Sequence, residues 1–141
     1  MTYHDLKENQ SEEFNHFSMM FAFDDKQLIK GLKKLNVRKD EMKAKLLKLP
    51  GGGFMRKNDR KAFRDMNVRH KDELADAMQD DEFLIKAIEY ELGNHEYIIT
   101  YDPEATIECL SLDMADKRTA ECFKIARGNY LRWQEEHGIF A

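Results

Sequence analysis

Apolar residues recur at three-to-four spacing along most of this chain, and only Pro50 and Pro103 stand to interrupt the pattern. A repeat near 3.6 residues places such positions on one face of a helix. The chain is therefore expected to build its core from amphipathic helices. Two prolines in 141 residues also argue against a loop-rich sandwich. This length suits one domain with a real core. Residues 1–13 read as a loose N-terminal arm and residues 14–141 as a single globular domain.

The helices can be placed by their stripes and caps. Asp24 reads as an N-cap with Gln27 at the third position, a capping-box arrangement, and Leu28, Ile29, Leu32 and Leu35 follow. Met42, Leu46 and Leu49 predict a second helix, stopped by Pro50 and three glycines. Asn58 or Asp59 opens a third, with Ala62, Phe63 and Met66 on one side and a break expected near Asn67 before Leu74 and Met78. Asp80 caps the stripe Phe83, Leu84, Ala87, Ile88 and Leu92, with Gly93 at the C′ position, where a left-handed backbone carries no Cβ strain. Asp102-Pro103-Glu104 starts a short helix, with Pro103 in its first turn. Asp113 is the expected cap of the longest helix, which runs to His137 with Phe123, Ala126, Tyr130 and Trp133 inward and Gly138 ending it.

Two stretches read as strands. Phe17, Met19, Phe21 and Phe23 alternate, as do Tyr97, Ile99 and Tyr101. Pairing 17–23 with 96–101 gives a small antiparallel two-stranded sheet, which has to pack on helices to persist. The expected fold class is thus α+β, mainly helical, with five to six helices around that sheet.

The net charge of −4 conceals a strong segregation. Residues 26–71 carry 16 Lys/Arg against 4 Asp/Glu, a net +12, and the remainder is −16. A basic segment of this kind can face nucleic acid, or it can pack against acidic helices and cancel. No apolar run approaches the length of a membrane span, so no membrane partner is expected. The N-terminus lacks the basic and apolar regions of a signal peptide, and the two cysteines, Cys109 and Cys122, make no disulfide framework. Both features point to the cytoplasm.

Two short segments carry candidate chemistry. In the first, Gly51, Gly52 and Gly53 allow backbone N–H groups to approach a phosphate, with Arg56, Lys57, Arg60, Lys61 and Arg64 supplying charge. P-loop and dinucleotide spacings are absent, and the reading preferred from the same residues is a flexible turn after a proline-stopped helix with Phe54 tucked into the core. The second is the polar corner Tyr90, Glu91, Asn94, His95, Glu96 and Tyr97. Gly93-Asn94-His95-Glu96 matches a string of two-metal phosphoesterases, but their other motifs are missing and the chain is too short for their fold. Glu91, His95 and Glu96 remain suitable metal ligands, while His4, His16, His70 and His137 are scattered. With Gly93 ending the helix, Glu91 and His95 would meet only if the turn folded back. Cys122 lies on an apolar stripe and reads as a buried, inert thiol.

Phe21-Ala22-Phe23, the Gly51-Gly52-Gly53-Phe54 turn and the Tyr90-to-Tyr97 block together resemble a family of uncharacterised small proteins of Gram-positive bacteria and their mobile elements, over roughly residues 17–112. The resemblance implies a bacterial or phage cytoplasmic setting; it transfers no activity, catalytic residue or cofactor.

No constellation pairs a nucleophile with a base, or completes a metal set, which a chemical step ordinarily requires. The expectation is a small cytoplasmic interaction protein rather than an enzyme, with a protein partner or a second copy of itself. Leftover aromatics and methionines would mark that surface. The alternatives are a nucleic-acid-binding module using residues 26–71 and a small metal-dependent hydrolase centred on Glu91, His95 and Glu96.

Overall fold

A computed structural model of the chain describes residues 1–138. It is mainly helical, with eight α-helices and a three-stranded antiparallel sheet among the described residues. The order is α1 (Tyr3–His16), β1 (Met19–Phe21), α2 (Asp25–Leu35), α3 (Met42–Lys45), β2 (Leu46–Leu49), β3 (Gly53–Arg56), α4 (Arg60–Ala77), α5 (Asp81–Asn94), α6 (Tyr97–Thr100), α7 (Glu104–Cys109) and α8 (Lys117–His137). The chain divides into two compact units. One comprises Met1–Leu6 and Leu74–Ala141, and the other, inserted between those stretches, Lys7–Glu73.

The first unit is built on α5 and α8, which pack closely along their apolar stripes. Leu84, Ala87, Ile88 and Leu92 from α5 meet Cys122, Phe123, Ala126 and Tyr130 from α8 in one core. Asp80 caps α5 as expected, accepting from the Phe83 N–H at 3.1 Å. The cap of α8 is Asp116 and not Asp113. Asp116 Oδ2 accepts from both the N–H and the hydroxyl of Thr119, at 3.0 and 2.7 Å, a two-point hold that Asp113 does not make. Those bonds also keep the Asp116 carboxyl below the usual carboxylate range. Trp133, expected inward, is 56% exposed and stacks on His137 at the end of α8.

Residues 97–101 are not a strand. They form the single turn α6, bracketed by left-handed Glu96 and Tyr101, with φ of 54° and 53°. The Ile98 N–H, which a sheet would need, donates to the Tyr130 hydroxyl at 3.1 Å. Tyr97 is buried between the rings of Tyr101 and Tyr130.

Residues 1–13 are not a loose arm either. Thr2 and Asp5 cap α1 reciprocally: Thr2 Oγ1 accepts from the Asp5 N–H and Asp5 Oδ2 from the Thr2 N–H. The first turn then buries Tyr3 and Leu6.

The second unit holds the sheet, in the order β1-β3-β2. Met19 pairs with Met55 and Phe21 with Gly53, so the partner of the 17–23 stretch is the segment after the glycines. Leu46–Leu49, expected as helix, is the other arm of a hairpin whose turn is Pro50-Gly51-Gly52. Gly51 and Gly52 have φ of +82° and +86°, a backbone that side chains rarely adopt and that lets the chain reverse at once. Once reversed, the ladder with β3 outweighs the helical spacing of Met42, Leu46 and Leu49. α2 lies on β1 so closely that a Cβ at Gly31 would stand 2.8 Å from Met20 Cβ. Met20, Leu32, Leu35, Val37 and Leu46 form the core beneath it. Asp24 caps α2, while Gln27 reaches back to the Phe23 N–H. α4 runs unbroken through Asn67, its Phe63 ring meeting Phe14 and Phe17.

Candidate functional site

Gly93 does not end α5. The helix continues to Asn94 and is capped at His95, whose N–H donates to the Glu91 carbonyl at 3.0 Å. Glu91 and His95 therefore stand one turn apart on one helical face, as i and i+4 neighbours do. His95 Nε2 lies 3.2 Å from Glu91 Oε2. It is buried, yet its ring is not aligned for a hydrogen bond with that oxygen or with any other described atom.

Glu91 is the centre of a polar cluster in the first unit and is fully buried. Its Oε1 accepts from the Tyr3 hydroxyl at 2.7 Å. Its Oε2 accepts from Asn94 Nδ2 at 3.3 Å and from the Cys109 thiol at 3.4 Å. A carboxylate removed from water is costly unless such donors satisfy it. Burial, reinforced by the hydrogen bond and charge of Glu91, pushes the Tyr3 phenol far above its ordinary range, so it remains a donor. The donor atoms of Glu91, His95 and Cys109 all lie within 4.8 Å of one another.

The expected corner is only partly assembled. Glu91, Asn94 and His95 converge. Glu96 is exposed in its left-handed conformation and is no part of the group. Tyr90 is 42% exposed and meets the rings of Tyr3 and His4, while Tyr97 belongs to the tyrosine stack of the core. Sequence reading missed Tyr3 and Cys109. A Thr-x-x-Asp cap at Thr2 and Asp5 signals an ordered helix around Tyr3, but nothing local announces that Cys109 ends its helix beside a carboxylate.

The second unit carries the basic residues. All four acidic residues of the 26–71 segment are engaged: Asp40 and Glu41 with Arg38, Glu41 also with Lys45, Asp59 with Arg56, and Asp65 with Lys61. The Lys45 contact, and the Arg38 N–H bonded to it, lower the Glu41 carboxyl from 4.5 to about 2. Arg69 sits between Glu13 and Glu73. The other eleven cations of the segment have no carboxylate partner among the described residues; they include Lys26, Lys30, Lys33 and Lys34 on α2 and Arg60 and Arg64 on α4. Of the expected phosphate-binding set, Arg56 and Lys61 are thus paired, and Lys57 Nζ donates to the Lys43 carbonyl. Gly51 and Gly52 form the hairpin turn. Gly53 is covered by the Phe21 ring, which a Cβ would meet at 2.6 Å. Phe21 and Phe23 are nevertheless 53% and 79% exposed.

A family model described as a family of unknown function (DUF7659) matches residues 2–129. The chain belongs to that family. No curated protein and no solved structure matches it. No described helix is long and apolar enough to cross a membrane.

Proposed function

We propose that this protein is a cytoplasmic binding protein whose second unit takes a nucleic-acid backbone. One observation carries the reading: eleven cations of residues 26–71 have no carboxylate partner among the described residues, whereas every acid of that segment is already paired. Unpaired exposed lysines and arginines release counterions when they meet phosphates, and that release drives polyanion binding. Exposed Phe21 and Phe23, near Lys30, Lys34 and the glycine turn, supply faces on which bases stack. The mobile-element setting implied by the family resemblance agrees with such a partner.

Fluorescence titration of labelled single-stranded RNA and duplex DNA at two salt concentrations tests the proposal. Binding should weaken with log salt, by a slope of roughly −0.9 per phosphate neutralised on the duplex. Replacing both Arg60 and Arg64 by Glu should weaken binding to both probes; Phe23→Ala should weaken the single strand selectively. Absence of binding to either probe at low salt would overturn the reading.

A further inference from the structure

We propose that Glu91, His95 and Cys109 form a site for one zinc ion. Glu91 Oε2 is 3.2 Å from His95 Nε2 and 3.4 Å from Cys109 Sγ. Tetrahedral zinc with bonds of about 2.0–2.3 Å places neighbouring ligand atoms roughly 3.3–3.8 Å apart. Two of the three separations thus already approach those of a zinc tetrahedron, and all three donor atoms lie within 4.8 Å of one another. Closing on an ion requires only that His95 and Cys109 draw together. Two donors come from successive turns at the end of α5 and one from the end of α7.

The donor types narrow the metal. A carboxylate, an imidazole and a thiolate form the mixed set that zinc accepts, whereas magnesium and calcium demand oxygen. The charges balance, since a dication with one carboxylate and one thiolate leaves no net charge beside the apolar core. Hydrogen bonding alone leaves the site incomplete, because the buried His95 Nε2 faces the carboxylate without a hydrogen bond among the described atoms. An electron pair at that nitrogen is what a metal would use. On binding, the ion takes the place of the thiol hydrogen between Sγ and Oε2, and that proton leaves to solvent. Tyr3 and Asn94 hold the carboxylate from behind, as groups beyond a metal's own ligands do. Three protein ligands leave a fourth position open, and Cys109 is solvent-exposed, so the ion has a path in. All these residues lie in the first unit, so the site is independent of the nucleic-acid reading.

The test is calorimetric titration of Zn²⁺ into the metal-stripped full chain, with Co²⁺ as a spectroscopic substitute. One equivalent should bind and raise the melting temperature, and the Co²⁺ form should show a thiolate charge-transfer band. Cys109→Ser, at an exposed position that tolerates the change, should abolish that band. Cys109→Ser and His95→Gln should each weaken Zn²⁺ by more than the roughly tenfold expected of Tyr3→Phe, while Cys122→Ala leaves binding unchanged. Failure of the parent protein to bind one equivalent, or binding that survives both Cys109→Ser and His95→Gln, would overturn the proposal.

Discussion

The first unit carries 6 Lys/Arg against 16 Asp/Glu, while the second carries 17 against 11. Their cores differ as much as their charge. In the first unit, two long helices bury large side chains around Ala87 and Ala126, both fully buried. In the second, a helix lies on a short sheet over a smaller core, with the Met20 side chain set against Gly31 and the Phe21 ring against Gly53, where a Cβ would collide. Long apolar stripes specify partners over many positions, so a unit built on them tolerates a densely acidic exterior. A small sheet has few such positions, and its geometry rests on single glycines. Stability in the first unit should therefore be lost by removing volume, and in the second by adding it.

The largest expected effect tests the first half of that contrast. Phe123 is 5% exposed in the main core, and Phe123→Ala should cost about 3–5 kcal/mol in a denaturant melt. An unchanged midpoint would mean that α5 and α8 do not form the packed core described.

Tyr3→Phe should come next. It removes one donor from a buried carboxylate, a loss of about 1.5–3 kcal/mol for a hydrogen bond to a charged group. Chemical denaturation measures it, and a loss near zero would mean that Glu91 is satisfied without α1.

Gly31→Ala probes the second unit from the opposite direction. Alanine gains helix propensity of roughly 0.5–1 kcal/mol, but its Cβ would stand 2.7–2.8 Å from Met20 atoms. Overpacking of this kind costs about 1–3 kcal/mol, so a net loss of about 1–2 kcal/mol is expected. Stabilisation instead would show that α2 can lift from β1 without penalty.

The smallest effect is electrostatic. The Glu41 carboxyl is lowered from 4.5 to about 2, so its contribution to stability is complete above the ordinary value and disappears as pH falls toward 2. Glu41→Gln should flatten that part of the acid profile, and an NMR titration of Glu41 checks the shift directly.

Much of the first unit is legible in the sequence. Asp80 and the stripe from Phe83 to Leu92 predict α5 correctly because cap and periodicity agree. The end of that helix is misread because Gly93, ordinarily a terminator, has helical backbone itself, and the helix runs on to Asn94 with its cap at His95. The start of α8 is three residues late because Asp113 and Asp116 are equally good caps by type, and only Thr119 distinguishes them. The sheet is less legible. Alternation at 17–23 and 97–101 is real, but strand partners are chosen by long-range packing, and the glycine hairpin supplied a nearer one. The candidate centre is half visible for the same reason. Glu91, Asn94 and His95 are neighbours in sequence, whereas Tyr3 lies 88 positions from its carboxylate.

That 88-residue separation has a kinetic meaning. The second unit is inserted between the two stretches of the first, so Tyr3 is synthesised long before its acceptor and then waits for it. Closing so long a loop adds little equilibrium cost, because loop entropy grows only with the logarithm of length. Its effect falls on the order of events: α5 and α8 are free to associate first, and the Tyr3 contact closes afterwards. Tyr3→Phe should therefore accelerate unfolding while leaving the folding rate almost unchanged, which makes this hydrogen bond a latch rather than a nucleus.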